Sequence, residues 1–338
     1  GVAILFGGIG MALDVFHPIQ FFNLMPRVWG SAAANPIIVA VPMFIFMGTM
    51  LERSGVAKDL LHTLQIVTRR IPGGLAMSVT LMGTIMAATT GIVGASVVML
   101  TMIALPSMME RGYAKELAVG TIASAGTLGI LIPPSIMLVI MGDLLSVSVG
   151  ALFAASILPG MLLAGLYLLY IGITSYRNPD RAPPLPDDIG PSSNAELIAL
   201  VFKSFFPPVL LITLVLGSIF GGFATPTEAA GVGCLGAIFL AWMNKKLSMK
   251  TLRDVIRLAG LTNGMVFFIF FGATLFSYVF RALGGDDLIL ELLGVIGIDT
   301  GWEILTFMLV LTFLLGFFFD WIEITLIVLP VFAPILQG

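Results

Sequence analysis

The longest uncharged segment of this chain constrains its fold more than any other feature. It runs for 39 residues from Ile71 to Met109 and carries small polar residues and glycines at its centre, Thr89–Ser96. As one helix it would be about 58 Å long at ~1.5 Å per residue, nearly twice a ~30 Å hydrocarbon core. Two complete spans would need about 40 residues and a turn. We therefore predict a helical hairpin over 73–110 that enters the membrane, turns at the polar centre and leaves on the side where it entered.

The composition indicates that the solvent of this protein is a lipid bilayer. Apolar residues make up 58% of the chain and charged residues 10%, and the mean hydropathy is +1.08, which is typical of an all-α polytopic membrane protein. A single cysteine, Cys234, excludes internal disulfides and cysteine-based metal sites. The chain begins at Gly1 and ends at Gly338 within apolar runs, so we expect it to be a fragment. We predict spans at 2–16, 36–52, 149–175, 197–220, 226–243 and 259–281, a broken span at 115–142, hairpins at 73–110 and 301–337, and interfacial helices at 56–71, 249–258 and 286–296.

The basic residues support this layout. Following the spans in order places 14 of the 16 lysine and arginine residues on one side, with only Arg27 and Arg281 opposite. Under the positive-inside rule the crowded side is cytoplasmic. A layout without the first hairpin would move Arg111 and Lys115 to the wrong side. We therefore expect a multi-pass protein of a bacterial or archaeal cytoplasmic (inner) membrane.

The two halves of the chain resemble each other across a polar, proline-rich linker at 178–193. Phe44–Gly48 matches Phe268–Gly272, and Thr101–Pro106 matches Thr325–Pro330 at the same spacing of 224 residues. The matched spans would run in opposite directions, which predicts an inverted repeat of the kind found in many secondary transporters. Chance similarity between apolar segments is the alternative.

This repeat suggests a division of the chain into four parts. We expect first-half scaffold spans with an interfacial helix over 1–72, and a transport element of hairpin and broken helix over 73–142. Scaffold spans, the linker 177–195 and the second interfacial helices would occupy 143–300, and the second hairpin 301–338. The counterpart of the broken helix is expected beyond residue 338.

The broken span is the first candidate for chemistry. Between Gly126 and Ser135, Pro133 and Pro134 withdraw backbone donors from the helix. Unwound carbonyls and nearby hydroxyls suit a dehydrated Na⁺, and the N-termini of half-helices attract an anionic group. A kinked helix with small-residue packing is the structural alternative.

Two acidic segments are the other candidates. Asp320 and Glu323 lie at the predicted tip of the second hairpin, where carboxylates are costly in hydrocarbon and indicate function. Alternatively, the tip reaches the interface and Trp321 anchors it there. In the segment Ala224–Glu228, we expect Glu228 to serve in capping the following helix.

Together these segments resemble the large membrane subunit of tripartite ATP-independent periplasmic (TRAP) transporters, in particular the branch labelled mannitol/chloroaromatic compound transport. The fold implied is the elevator-type, inverted-repeat fold of the ion-transporter superfamily. At the first tip, Ile92 and Val93 stand where the commoner family pattern has Ser-Gly, and Ser96 replaces a threonine. The resemblance is carried by Gly91–Ser96, Pro106 with 111–113, Gly126–Ser135, Thr225–Ala229, and Gly316 with Asp320 and Glu323.

The resemblance implies a transporter and not an enzyme. It would import small organic acids with Na⁺ as the only bound ion. Its partners would be a small four-helix membrane subunit, a periplasmic solute-binding protein and the lipid bilayer, with no nucleic acid.

The resemblance also assigns roles to individual residues. The predicted Na⁺ ligands are Thr90, Gly91, Gly94, Ser96, Gly126, Thr127, Pro133, Gly316 and Asp320. The predicted substrate contacts are Thr89, Ser124, Pro134, Ser135 and Glu323.

Three other functions remain as alternatives. A stand-alone Na⁺/carboxylate symporter of the same superfamily would lack the partner subunits. An intramembrane enzyme is disfavoured because the chain contains no His-Glu-x-x-His, Gly-x-Ser-x-Gly or Gly-x-Gly-Asp segment. A lipid-embedded scaffold would give no reason for two hairpins.

Overall fold

The structure is a computed structural model that describes residues 2–13, 17–30, 34–90, 93–184, 193–298 and 300–337. Within these ranges every regular element is helical, which confirms the predicted all-α class. The helices are α1 (Val2–Ala12), α2 (Pro18–Phe22), α3 (Leu24–Val28), α4 (Ala40–Arg53), α5 (Val56–Val67), α6 (Gly74–Thr90), α7 (Val93–Glu110), α8 (Lys115–Thr127), α9 (Ile136–Leu144), α10 (Val149–Arg177), α11 (Asn194–Phe220), α12 (Pro226–Met243), α13 (Met249–Ala282), α14 (Gly285–Ile296), α15 (Gly301–Leu315) and α16 (Trp321–Gln337).

Most predicted spans coincide with observed helices. In the part of the chain that the structure describes, α10, α11, α12 and α13 are long and apolar enough to cross a membrane. Local signals set their ends: the Ser148 hydroxyl accepts a hydrogen bond from the Ala151 N–H at the start of α10, and Thr225 forms a capping box with Glu228 at the start of α12. The short helices α2 and α3 were not predicted.

The prediction of separate elements at 249–258 and 259–281 is wrong. Both ranges belong to one helix, α13, which continues for 34 residues. The boundary was inferred from the charged residues between Lys250 and Arg257. Charges change the preferred solvent of a helix but leave its backbone hydrogen bonds intact, and no proline interrupts α13.

By their contacts, the residues form two compact units. One comprises 39–139 and 148–260, and the other comprises 1–38, 140–147 and 261–338. In the first unit α4 packs closely against α12, because Gly233 leaves room for the side chain of Met47 and the Cys234 thiol donates to the Met43 carbonyl at 3.0 Å. The amphipathic helix α5 buries Leu60 and Leu64 and exposes the charges of its other face.

The first hairpin returns to the end where it begins. The Gly73 N–H, just before α6, donates to the Ala182 carbonyl at 2.9 Å, and the Ala114 N–H, after α7, donates to the Arg181 carbonyl at 2.9 Å. Two consecutive residues thus hold both ends of the segment, and α6 and α7 are antiparallel. The prediction of a hairpin over 73–110 is confirmed.

A side chain adds to this closure. The Leu75 N–H is one of the donors that the first turn of a helix leaves unpaired. It donates to the hydroxyl of Tyr113 at 3.2 Å, and both residues are buried. We call these three hydrogen bonds, at Gly73, Leu75 and Ala114, the hairpin clasp.

The second hairpin, in the other unit, also folds back on itself. Ile304 and Phe307, near the start of α15, belong to one apolar cluster with Val328 and Phe332, toward the end of α16. The Phe307 and Phe332 ring centroids are 6.1 Å apart. Helix α14 meets α15 at 102°. The matched segments Thr101–Pro106 and Thr325–Pro330 lie on the second legs of the two hairpins.

Candidate functional site

The helix break lies where the sequence predicts it. Helix α8 ends at Thr127, a 3₁₀ turn covers Leu128–Ile130, and α9 starts at Ile136. The N–H groups of Leu131 and Ile132 both donate to the Leu128 carbonyl at 3.0 Å. Since prolines occupy the next two positions, regular helical bonding stops for most of two turns. The break, including Pro133 and Pro134, is largely buried, so its carbonyls lie inside protein.

The hydroxyl groups around the break donate their protons to the backbone. Ser124 Oγ donates to the Thr121 carbonyl at 3.1 Å, and Thr127 Oγ1 donates to the Ser124 carbonyl at 2.8 Å. Ser135, which is fully buried, donates to the Ile130 carbonyl at 2.7 Å. The oxygen lone pairs of all three hydroxyls therefore remain available as acceptors. This chemistry suits a cation or a hydrogen-bond donor.

Small residues let both legs of the first hairpin approach α8. A Cβ added at Gly126 would lie 2.3 Å from Val97 Cγ2 and 3.2 Å from the Val97 backbone nitrogen, and one added at Gly83 would lie 2.8 Å from the Cβ of Ala125. Real Cβ contacts are rarely this short, so neither position accepts a larger residue without movement. The hairpin and α8 thus pack as one closely fitted group of helices.

This packing brings two of the predicted Na⁺ ligands together. Ser96, on α7, and Gly126, on α8, line the same void of about 10 Å³. That volume is close to the smallest that accommodates one water-sized probe. Ser96 is buried, and Thr127 follows Gly126 directly. Gly94 lies in the first turn of α7, where it is exposed.

Three predicted residues of the first tip cannot be placed to the same detail. Gly91 lies outside the described residues. Thr89 and Thr90 form the last turn of α6, and their side chains are likewise outside the description. Their assigned roles stay predictions.

The second tip presents its carboxylates differently. Gly316 follows α15 and is exposed, as is Asp320 just before α16. The Asp320 carboxylate accepts a hydrogen bond from the adjacent Trp321 N–H at 2.9 Å. Glu323 is half-buried, and its Oε2 atom is buried without a hydrogen-bond partner among the described residues. A buried acceptor left unpaired is costly, and it suits a cation or a donor group of a ligand.

The structure also shows which residues the sequence reasoning missed. Gly83 and Val97 shape the contact between hairpin and break, and Tyr113 and Arg181 close its base. Of these four residues, only Gly83 could have been noticed in the sequence, because it is a glycine inside an apolar helix. For Glu228 the capping interpretation is confirmed, because its carboxylate accepts from the Thr225 N–H at 2.8 Å.

Comparison with known proteins gives a family match over the whole chain. The family described as "Tripartite ATP-independent periplasmic transporter, DctM component" matches residues 1–338. The C4-dicarboxylate TRAP transporter large permease protein DctM of Pseudomonas aeruginosa is 31% identical over 97% of this chain and 75% of its own length. The ectoine/5-hydroxyectoine TRAP transporter large permease protein UehC of Ruegeria pomeroyi is 32% identical over 89% of this chain and 69% of its own length.

A solved structure shares the fold. The crystal structure of the Alcanivorax borkumensis YdaH transporter, described as having an unusual topology, superposes with a TM-score of 0.64 at 16% identity. The superposition covers 94% of this chain and 72% of that one.

Proposed function

Since this chain belongs to the family of the DctM component of tripartite ATP-independent periplasmic transporters, we propose that it imports small organic acids together with Na⁺. The family assignment made from the sequence motifs is confirmed. The chain is a multi-pass membrane permease and not an enzyme: its relatives are named as transporter permeases, and four of the described helices are long and apolar enough to cross a membrane. The organic-acid substrate class is supported by the C4-dicarboxylate permease among those relatives.

The observation that carries Na⁺ coupling is the meeting of hairpin and break. Ser96 and Gly126 face one small void, and the adjoining backbone of Leu128–Ser135 is buried and irregular. Carbonyl and hydroxyl oxygens in such a position can replace the hydration shell of a small cation. We assign the first Na⁺ to this region, and a second Na⁺ to the tip that contains Gly316 and Asp320. Substrate would contact Ser124, Pro134, Ser135 and Glu323.

Alternating access would follow an elevator mechanism. The hairpins and the broken helix would move together against the remaining helices. The close approaches at Gly83 and Gly126 support joint movement of the first hairpin and α8, because tightly fitted helices move as a body more readily than they separate. A small four-helix membrane subunit and a periplasmic solute-binding protein would complete the transporter, which the word "tripartite" in the family description supports. The alternative is a stand-alone Na⁺/carboxylate symporter, and co-purification of a small membrane subunit would exclude it.

The decisive experiment is uptake of labelled succinate into proteoliposomes that contain the full transporter and its binding protein. An inward Na⁺ gradient should drive uptake, and replacing Na⁺ with choline should abolish it. Asp320→Asn should weaken the Na⁺ dependence, and its amide oxygen can still accept the hydrogen bond from the Trp321 N–H. Asp287→Asn, an exposed carboxylate on α14, is the matched control and should behave as wild type. Uptake that persists at full rate without Na⁺ would refute the coupling.

A further inference from the structure

A cavity beside the hairpin clasp has the chemistry of an anion site. Its volume is about 390 Å³, within the range of ligand-binding sites. The first two turns of α8, the C-terminal half of α10 and the 3₁₀ turn Pro179–Arg181 form its walls. It lies at the end of the molecule that carries Arg111, Lys115 and Arg177, which is the predicted cytoplasmic end.

Arg181 supplies the positive charge of this cavity. The hairpin clasp fixes its backbone, since its carbonyl accepts from the Ala114 N–H and its own N–H donates to the Asn178 carbonyl at 3.0 Å. Its guanidinium group has no hydrogen bond or ion pair with any residue that the structure describes. An arginine with a fixed backbone and a guanidinium group that has no protein partner is suited to bidentate binding of a carboxylate.

A buried hydroxyl group marks the inner wall. Thr121 lines the cavity, is only 3% exposed, and its Oγ1 atom has no hydrogen-bond partner within the described ranges. A hydroxyl buried in this way is costly unless a ligand or solvent completes its hydrogen bonding. Tyr167 and Tyr170 also line the cavity and add two phenol hydroxyls as potential donors.

The start of α8 adds backbone donors. Its N-cap residue, Ala114, offers no side-chain acceptor, so the first N–H groups of this 13-residue helix remain available. The helix dipole favours an anion at this end. Among the described residues that line the cavity, Glu116 is the acidic one. Glu116 and Arg181 are both exposed to solvent, which screens both charges, while the Thr121 hydroxyl and the start of α8 add only donors to an anion.

We propose that this cavity is a second binding station for the transported organic anion, occupied on the cytoplasmic side before release. Arg181 binds a carboxylate of the substrate, and the Thr121 hydroxyl and the N-terminus of α8 provide further donors. Ser124, already assigned to the substrate at the break, lines the same cavity, so the two sites adjoin. The inference rests on the proposed function for the identity of the anion.

Gly120 offers a direct test. It lines the cavity and an added Cβ would meet nothing within 4 Å, so Gly120→Cys introduces a thiol without a clash. Cys234→Ala removes the native thiol. In the full transporter, succinate should slow the reaction of this thiol with N-ethylmaleimide, by about threefold at twice the dissociation constant. Arg181→Gln should abolish the protection, and Arg177→Gln, an exposed arginine outside the cavity, should retain it.

The controls separate this proposal from the proposed function. A thiol introduced by Lys115→Cys, beside the cavity, should react at the same rate with and without succinate. Any of three results would refute the second binding station. The first is that succinate does not protect the Gly120→Cys thiol, and the second is that protection survives Arg181→Gln. The third is that inorganic phosphate protects the thiol and succinate does not. If succinate protects the thiol but uptake does not depend on Na⁺, the second binding station is supported and only the proposed Na⁺ coupling is refuted.

Discussion

Substituting Gly126 by alanine tests how closely the hairpin must approach the broken helix. The new methyl group would lie 2.3 Å from Val97 Cγ2, whereas carbon atoms are in optimal contact at about 3.5–4.0 Å. Rotation of the valine cannot resolve this overlap alone, because its backbone nitrogen and Cα would lie 3.2 and 3.3 Å away. Helix α7 must therefore shift.

The expected cost follows from two opposing terms. Overpacking of this kind costs about 1–3 kcal/mol. Replacing glycine by alanine in a helix recovers about 1 kcal/mol, so we expect Gly126→Ala to lower the free energy of unfolding by about 0–2 kcal/mol. Relative to an alanine substitution at a helical glycine without close neighbours, the loss should be about 1–3 kcal/mol. The same shift would alter the void shared with Ser96, so the apparent affinity for Na⁺ should fall as well.

Gly165→Ala is the matched control, because Gly165 is also a helical glycine, its added Cβ would meet nothing within 4 Å, and it is not among the predicted Na⁺ ligands. It should be neutral or slightly stabilising. Thermal unfolding of the purified protein, followed by tryptophan fluorescence with and without Na⁺, compares the two variants. If Gly126→Ala unfolds at or above the temperature of Gly165→Ala, the close approach of α7 and α8 is not as described.

Two further substitutions test the hairpin clasp and the capping of α12. Tyr113→Phe leaves the buried Leu75 N–H without its acceptor and should lower stability by about 1–3 kcal/mol, whereas the exposed Tyr176→Phe should not. Burial raises the pKa of the Tyr113 phenol above its ordinary value of 10.0. The stability of the wild type is therefore retained below pH 10.0 and falls as the pH rises through the folded-state pKa. The phenylalanine variant should lose this part of the alkaline sensitivity in unfolding scans. Thr225→Ala breaks the capping box with Glu228 and should lower the free energy of unfolding by about 0.5–2 kcal/mol in the same assay. The Na⁺ dependence of uptake should not change. If Tyr113→Phe or Thr225→Ala is as stable as the wild type, the hydrogen bond assigned to that residue is contradicted.

The elements that could be predicted are those that depend on short stretches of chain. The first hairpin follows from the uncharged run Ile71–Met109, because charge and helix length decide what a bilayer can accommodate. The break follows from Pro133 and Pro134, which remove backbone donors wherever the helix lies. The same reasoning predicted two elements where α13 is one helix, since charged residues mark an interface without ending a helix.

The sequence alone determined the helical class, the positions of both hairpins, the break and the capping of α12. Each of these depends on the solvation of neighbouring residues or on hydrogen bonds within one or two turns. The tertiary structure alone decided that Gly73 and Ala114 bond to Ala182 and Arg181, that Val97 lies against Gly126, and that Arg181 faces a cavity. These contacts join residues far apart in the chain. Many apolar and polar surfaces could meet, and the packing of all the helices together decides which of them do.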